Sequence, residues 1–120
     1  MEHILVIDDD DWVRQVIVSI LEKEGYQVQE ATNGEEGVNL CRETPVDIVI
    51  TDIVMPVKDG LQTILELLDD FPDIKIIAIS GGGAISPERY LKVASSLADI
   101  PTITKPFNKE ELLTAIKALS

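Results

Sequence analysis

Five times over, a short stretch of strand character gives way to one with apolar residues at helical spacing. Ile4-Leu5-Val6-Ile7 is an unbroken apolar run, the composition of a central strand buried on both faces. Val13, Val16, Ile17, Ile20 and Leu21 then recur with a 3.6-residue period. Asp11 is expected to cap that helix and Gly25 to end it. Tyr26 to Ala31 alternates and suits a strand near the sheet edge. Asn33-Gly34 is a turn, and the helix after it turns Val38 and Cys41 inward and stops before Pro45. Val46 to Thr51 is the third strand. Leu61, Ile64, Leu65 and Leu68 mark the third helix, closed before Pro72. Ile74 to Ile79 is the fourth strand, running into Ser80 and a Gly81-Gly82-Gly83 loop. Pro87 suits a first helical turn, and the helix from it presents Tyr90, Leu91, Ala94 and Leu97. Thr102-Ile103-Thr104 is a short fifth strand before Lys105-Pro106. Asn108 caps the last helix with Glu111 three residues on, and Leu112, Ala115, Ile116 and Leu119 form its inner face.

Such alternation implies a parallel sheet with helices on both faces and right-handed crossovers. For five units the common solution is the α/β, flavodoxin-like (βα)5 doubly wound sheet of order 2-1-3-4-5. Strands one and three are then neighbours at the switch point, the place where open sheets bind ligands. Asp8-Asp9 after strand one and Asp52 after strand three would meet there. Ser80 and Lys105 end strands four and five, on the same edge.

Three crowded carboxylates repel one another unless protonated or joined by a cation. Oxygen ligands without histidine or cysteine select Mg²⁺ or Mn²⁺ over zinc. With a hydroxyl and an ammonium alongside, the cleft suits a phosphoryl group. A carboxylate can serve as nucleophile, and Asp52, the central one, is the best placed. Singly each residue has an ordinary explanation: acids at a helix start, a loop hydroxyl, a surface lysine. Their joint placement on one sheet edge argues for a site.

The net charge of −12 over 120 residues argues against a nucleic-acid surface, which would need Lys and Arg. A single cysteine, Cys41, excludes an internal disulfide. The start, Met1-Glu2-His3-Ile4, lacks the regions of a signal peptide, and no apolar run is long enough to span a bilayer. A soluble, cytoplasmic chain with no membrane partner is expected. Trp12 is expected to pack at the first helix, near enough to the acids to report on them.

At this point the whole chain resembles the receiver domains of two-component response regulators. The resemblance rests on Asp8-Asp9, on Thr51-Asp52-Ile53-Val54-Met55-Pro56 with Asp59-Gly60, on Ser80, and on Lys105-Pro106-Phe107. It implies that Asp52 is the phosphoacceptor. It also implies that Asp9, Asp52 and the Val54 carbonyl ligate Mg²⁺, with Asp8 acting through water. Ser80 and Lys105 would hold the phosphoryl group, and the Lys105–Pro106 bond would be cis. The donor would be a sensor histidine kinase or a histidine phosphotransfer protein. The chain would catalyse its own phosphorylation and slow dephosphorylation, rather than act as a conventional enzyme. Receivers often carry an aromatic residue three positions before the lysine. Here Thr102 stands there, so the loop after strand four and the fourth helix are expected to carry the switch. Output would leave through the face of the fourth helix, fifth strand and last helix. Residues 1–120 are expected to form one receiver domain, with no room for a DNA-binding module.

The alternative is a haloacid-dehalogenase-like Mg²⁺-dependent phosphatase with Asp8 as nucleophile. Asp8-x-Asp10 after an apolar strand resembles its nucleophile and acid/base pair, and Lys105 could stand for its lysine. That motif usually continues with Thr or Val where Trp12 stands, and little room is left for a cap. A flavodoxin-like FMN carrier fits less well, because four aspartates after strand one would repel its phosphate.

Overall fold

The computed structural model describes residues 2–53, 60–80 and 100–119, apart from the side chains of Leu61 and Ser80. The Val54 carbonyl, the glycines 81–83 and the helix expected from Pro87, with Tyr90, Leu91, Ala94 and Leu97, lie outside the described residues. In chain order the described elements are β1 (His3–Ile7), α1 (Asp11–Lys23), β2 (Gln27–Ala31), α2 (Gly34–Glu43) and β3 (Ile48–Asp52). They continue as α3 (Gly60–Asp70), β4 (Lys75–Ser80), β5 (Thr102–Thr104) and a last helix, α4 (Lys109–Leu119). The strands form one sheet in the order β2-β1-β3-β4-β5, as expected. Every pairing is parallel. No helix among the described residues is long and apolar enough to cross a membrane.

The period-2 geometry of a strand divides its side chains between the two faces. Leu5 and Ile7 of β1 pack with Val38, Cys41, Val49, Ile64 and Leu67 under α2 and α3. Ile4 and Val6 pack with Ile17, Leu21, Ile50, Ile77, Leu112 and Ile116 under α1 and α4. Ile4, Leu5, Val6 and Ile7 are all fully buried, which is why the run shows no polar alternation. Each such side chain contributes roughly 1.5–3 kcal/mol on burial. This two-sided core fixes the strand ends that carry the acids.

Four local expectations are corrected. The cap of α1 is Asp10, not Asp11: its carboxylate accepts the backbone N–H of Trp12 and Val13. The acids are consecutive, so sequence could not say which one leaves the strand direction first. Trp12 stands outside both halves of the core and is 74 % exposed. The inner face of α3 is Thr63, Ile64 and Leu67, while Leu65 is exposed. The reason is the helix start: the Gly60 N–H donates to the Ile53 carbonyl at 2.7 Å, which turns Gly60 inward, and positions three, four and seven residues on follow it. Lastly, β3 begins at Ile48 and runs through Asp52 rather than stopping at Thr51.

Candidate functional site

Asp8 follows β1 directly and is held on three sides. Its backbone N–H donates to the Ala31 carbonyl at 3.1 Å, continuing the ladder with β2. Its Oδ1 accepts the Asp10 N–H at 2.9 Å. Its backbone carbonyl accepts from Arg14 Nη1 at 2.9 Å. The Asp8 side chain is fully buried, and its Oδ2 has no hydrogen-bond partner. Burial pushes the Asp8 carboxyl above the ordinary range, against the pull of the Asp10 N–H; the charge of Asp52 adds to the rise and that of Lys105 opposes it.

Asp52 is the last residue of β3, paired in register with Ile79 of β4, and is 5 % exposed. Two neighbours set its backbone. The Thr51 hydroxyl donates to the Asp52 carbonyl at 3.1 Å. Gly60 approaches so closely that a Cβ there would collide with that same carbonyl oxygen. This close approach explains why the chain returns to β3 through a glycine.

Lys105 reaches in from the end of β5. Its ammonium donates to Asp52 Oδ2 at 2.9 Å and lies 3.5 Å from Asp8 Oδ2. The longer contact is an ion pair without a formed hydrogen bond. Burial alone would lower the Lys105 pKa, but the hydrogen bond and charge of Asp52, then the charge of Asp8, outweigh it and raise it. The Lys105–Pro106 peptide is cis. Asp9 is exposed at the rim of the same cleft.

One carboxylate oxygen from each of Asp8, Asp9 and Asp52 lies within 4.8 Å of the others. Among the described residues, three acids against one ammonium leave an excess of negative charge, and one buried acid oxygen lacks a hydrogen bond. A hard divalent cation fits that donor set. Of the residues expected at the site, Asp8, Asp9, Asp52 and Lys105 therefore converge. The Ser80 backbone ends β4 and pairs with Thr104. Thr102 is exposed on β5, with its hydroxyl 3.5 Å from the Ile100 carbonyl. Asp10, the acid/base partner in the phosphatase alternative, is exposed and engaged as the helix cap.

Arg14 is a residue that sequence reasoning passed over. A signal was present: Arg14 stands in phase with Ile17 and Leu21, three and seven residues on, so a charged side chain occupies the inner stripe of α1. Asp59-Gly60 gives by sequence only a turn signal, and the contact of Gly60 with Asp52 spans eight residues, which no local pattern encodes.

A family model described as "Response regulator receiver domain" matches residues 4–117. Among curated proteins, the response regulator receiver protein CpdR of Brucella abortus is 32 % identical, over 99 % of this chain and 97 % of its own length. The sensor kinase CckA of the same organism is 36 % identical over 97 % of this chain, which spans only 12 % of that kinase. Among solved structures, the response regulator TrrA of Thermotoga maritima, in complex with Mg²⁺-BeF, superposes with a TM-score of 0.85. It is 36 % identical, with all of both chains covered.

Proposed function

The chain belongs to the response regulator receiver domain family of two-component signalling, and on that premise we propose that Asp52 accepts a phosphoryl group from a phosphohistidine. The observation that carries this reading is the environment of Asp52. It is almost fully buried, ends the central strand, and lies within reach of two further carboxylates and one ammonium.

A carboxylate oxygen of Asp52 attacks phosphorus, an O–P bond forms, and the donor's P–N bond breaks. The imidazole leaves with the electron pair of that bond and takes up a proton. The product is an aspartyl-phosphate. Asp8, Asp9, Asp52 and the Val54 carbonyl would hold Mg²⁺, which supplies neutralisation of the phosphoryl oxygens. Lys105, already hydrogen-bonded to Asp52, is placed to transfer its N–H donors to the arriving phosphoryl oxygens. The Ser80 hydroxyl is assigned the matching donor role from β4. Burial of Asp8 and Asp52 limits water at the acyl phosphate, which slows its hydrolysis. The proposed donor is a sensor histidine kinase or a phosphotransfer protein. The proposed exit for the signal is the face of the expected fourth helix, the fifth strand and the last helix.

A phosphotransfer profile tests this. The chain is mixed with phosphorylated histidine kinases of the host and Mg²⁺, and intact mass is followed. Addition of a single phosphoryl group that is lost to hydroxylamine is expected. Repeated turnover of a phosphoester without any labelled chain would overturn the reading in favour of a phosphatase.

A further inference from the structure

We propose that Arg14 is a positioning residue for the metal-binding acids, acting through the peptide that joins Asp8 to Asp9. The proposal deepens the function above and rests on its assignment of Asp8 and Asp9 to a divalent cation.

Arg14 is 8 % exposed, and its planar fork is divided among three elements. Nη2 donates to Asp11 of α1 at 2.6 Å. Nε donates to Glu30 of β2 at 3.0 Å. Nη1 donates to the Asp8 carbonyl at 2.9 Å. The first two contacts fix the plane of the guanidinium, and the third uses that fixed plane to hold a backbone atom of the site. The Asp8 carbonyl belongs to the peptide bond leading into Asp9. Its orientation sets the backbone direction at both acids, and so where both carboxylates can aim. With the Asp8 N–H held by Ala31 and its Oδ1 by Asp10, Arg14 supplies the remaining constraint.

The effect is geometric. Arg14 bonds the carbonyl of Asp8, and the charges that act on the Asp8 carboxyl are those of Asp52 and Lys105. A purely stabilising role is a poor explanation for the arginine. Burying a guanidinium costs desolvation energy, and apolar replacements of buried ion pairs are often neutral or better. Groups that orient metal ligands, by contrast, change affinity about 10–100-fold when removed.

The test titrates Mn²⁺ and follows the electron paramagnetic resonance signal of the free ion, alongside thermal unfolding without metal. Arg14→Met is expected to weaken Mn²⁺ binding about tenfold, and Arg14→Lys, which keeps one charged donor without the fork, to recover part of the loss. Saturating metal should restore the phosphorylation rate of both. If Arg14→Met does not fold, the pair Asp11→Ala with Glu30→Ala decides. Both acids are at least half open to solvent or nearly so, at 77 % and 45 % side-chain exposure, and their loss removes only what orients the guanidinium. Weakened Mn²⁺ binding in that variant supports the proposal. Lowered stability with unchanged Mn²⁺ affinity overturns it. An unmodified chain with no Mn²⁺ response would overturn this inference together with the function it rests on, whereas an intact response indifferent to Arg14 overturns this inference alone.

Discussion

At the carboxyl end of the sheet, Asp8 and Asp52 are buried, converge with Asp9, and share one ammonium. At the amino end, Asp47 and Asp70 are exposed and differently engaged. The Asp47 carboxylate accepts the His3 N–H at 2.8 Å. Asp70 takes two donors of Arg42, at 2.7 and 3.1 Å. The amino end also holds an open cavity of about 880 Å³, lined by Arg42, Asp47, Asp70, Phe71 and Lys75 among others. Concavity alone would therefore direct attention to the wrong end. What distinguishes the two ends is burial and convergence: acids at one end are held close together with too little positive charge, and acids at the other are exposed and met by local donors.

The largest test of that contrast is loss of the acceptor. Asp52→Asn should abolish incorporation of phosphate from a small phosphodonor with Mg²⁺, read by intact mass. Asp47→Asn, at the other end of the sheet, should be labelled as the unmodified chain is. An undiminished phosphorylated species in Asp52→Asn would remove the acceptor from this site.

Next in size is metal affinity. Asp9→Ala deletes an exposed acid without disturbing the core, and should weaken the Mg²⁺ response at least about tenfold. Trp12, exposed and three residues from Asp9, provides a fluorescence readout. Asp70→Asn should leave the curve unchanged. Coincident curves for Asp9→Ala and the unmodified chain would mean that the acids do not form the ion's site.

Much of this contrast was legible in the sequence. The five strand-then-helix units point to the strand order, because β–α alternation has few topological solutions, and the order alone brings Asp8, Asp9, Asp52 and Lys105 to one edge. Rotations of a helix about its axis were less legible. Leu65 is in phase with Leu61 and Leu68, yet the Gly60–Ile53 hydrogen bond turns α3 so that Leu65 is exposed. The cap of α1 was hidden for a different reason: four consecutive aspartates offer the same chemistry, and only the path of the chain selects Asp10. Arg14 was legible only as a charge on the inner stripe of α1; its partners, the Asp8 carbonyl and Glu30, become neighbours only once β1, α1 and β2 are packed.

A smaller effect concerns the cost of convergence. Because the Asp8 pKa is raised in the fold, the folded chain holds that proton more tightly than the unfolded chain does. Its contribution to stability is therefore full below the unfolded value of 3.8 and is lost as pH rises through the raised value. This is the reverse of the usual behaviour of a paired aspartate. Asp8→Asn removes the penalty, so without metal it should stabilise the chain at neutral pH. The gain should vanish below the unfolded pKa, where both chains are neutral at this position. Added Mg²⁺ should narrow the gap by stabilising only the unmodified chain. A variant less stable at neutral pH would show that the pairing with Lys105 outweighs burial.

The smallest expected effect is at the amino end, and it sets the baseline for the others. Arg42 and Asp70 form a well-shaped two-donor pair, closer at 2.7 Å than Lys105 is to Asp52 at 2.9 Å. Distance alone would rank it as the stronger interaction. But both partners stand in solvent, so water screens the attraction and replaces the lost hydrogen bonds when the pair is broken. Burial raises the Lys105–Asp52 interaction by removing that competition. Arg42→Gln should therefore leave the thermal midpoint unmoved and the midpoint's dependence on salt unchanged, while Lys105→Gln, which leaves Asp8 and Asp52 without a counter-charge, should lower it and make it respond to Mg²⁺ more steeply. If the two variants lost equal stability, burial would not be what separates the two ends of the sheet.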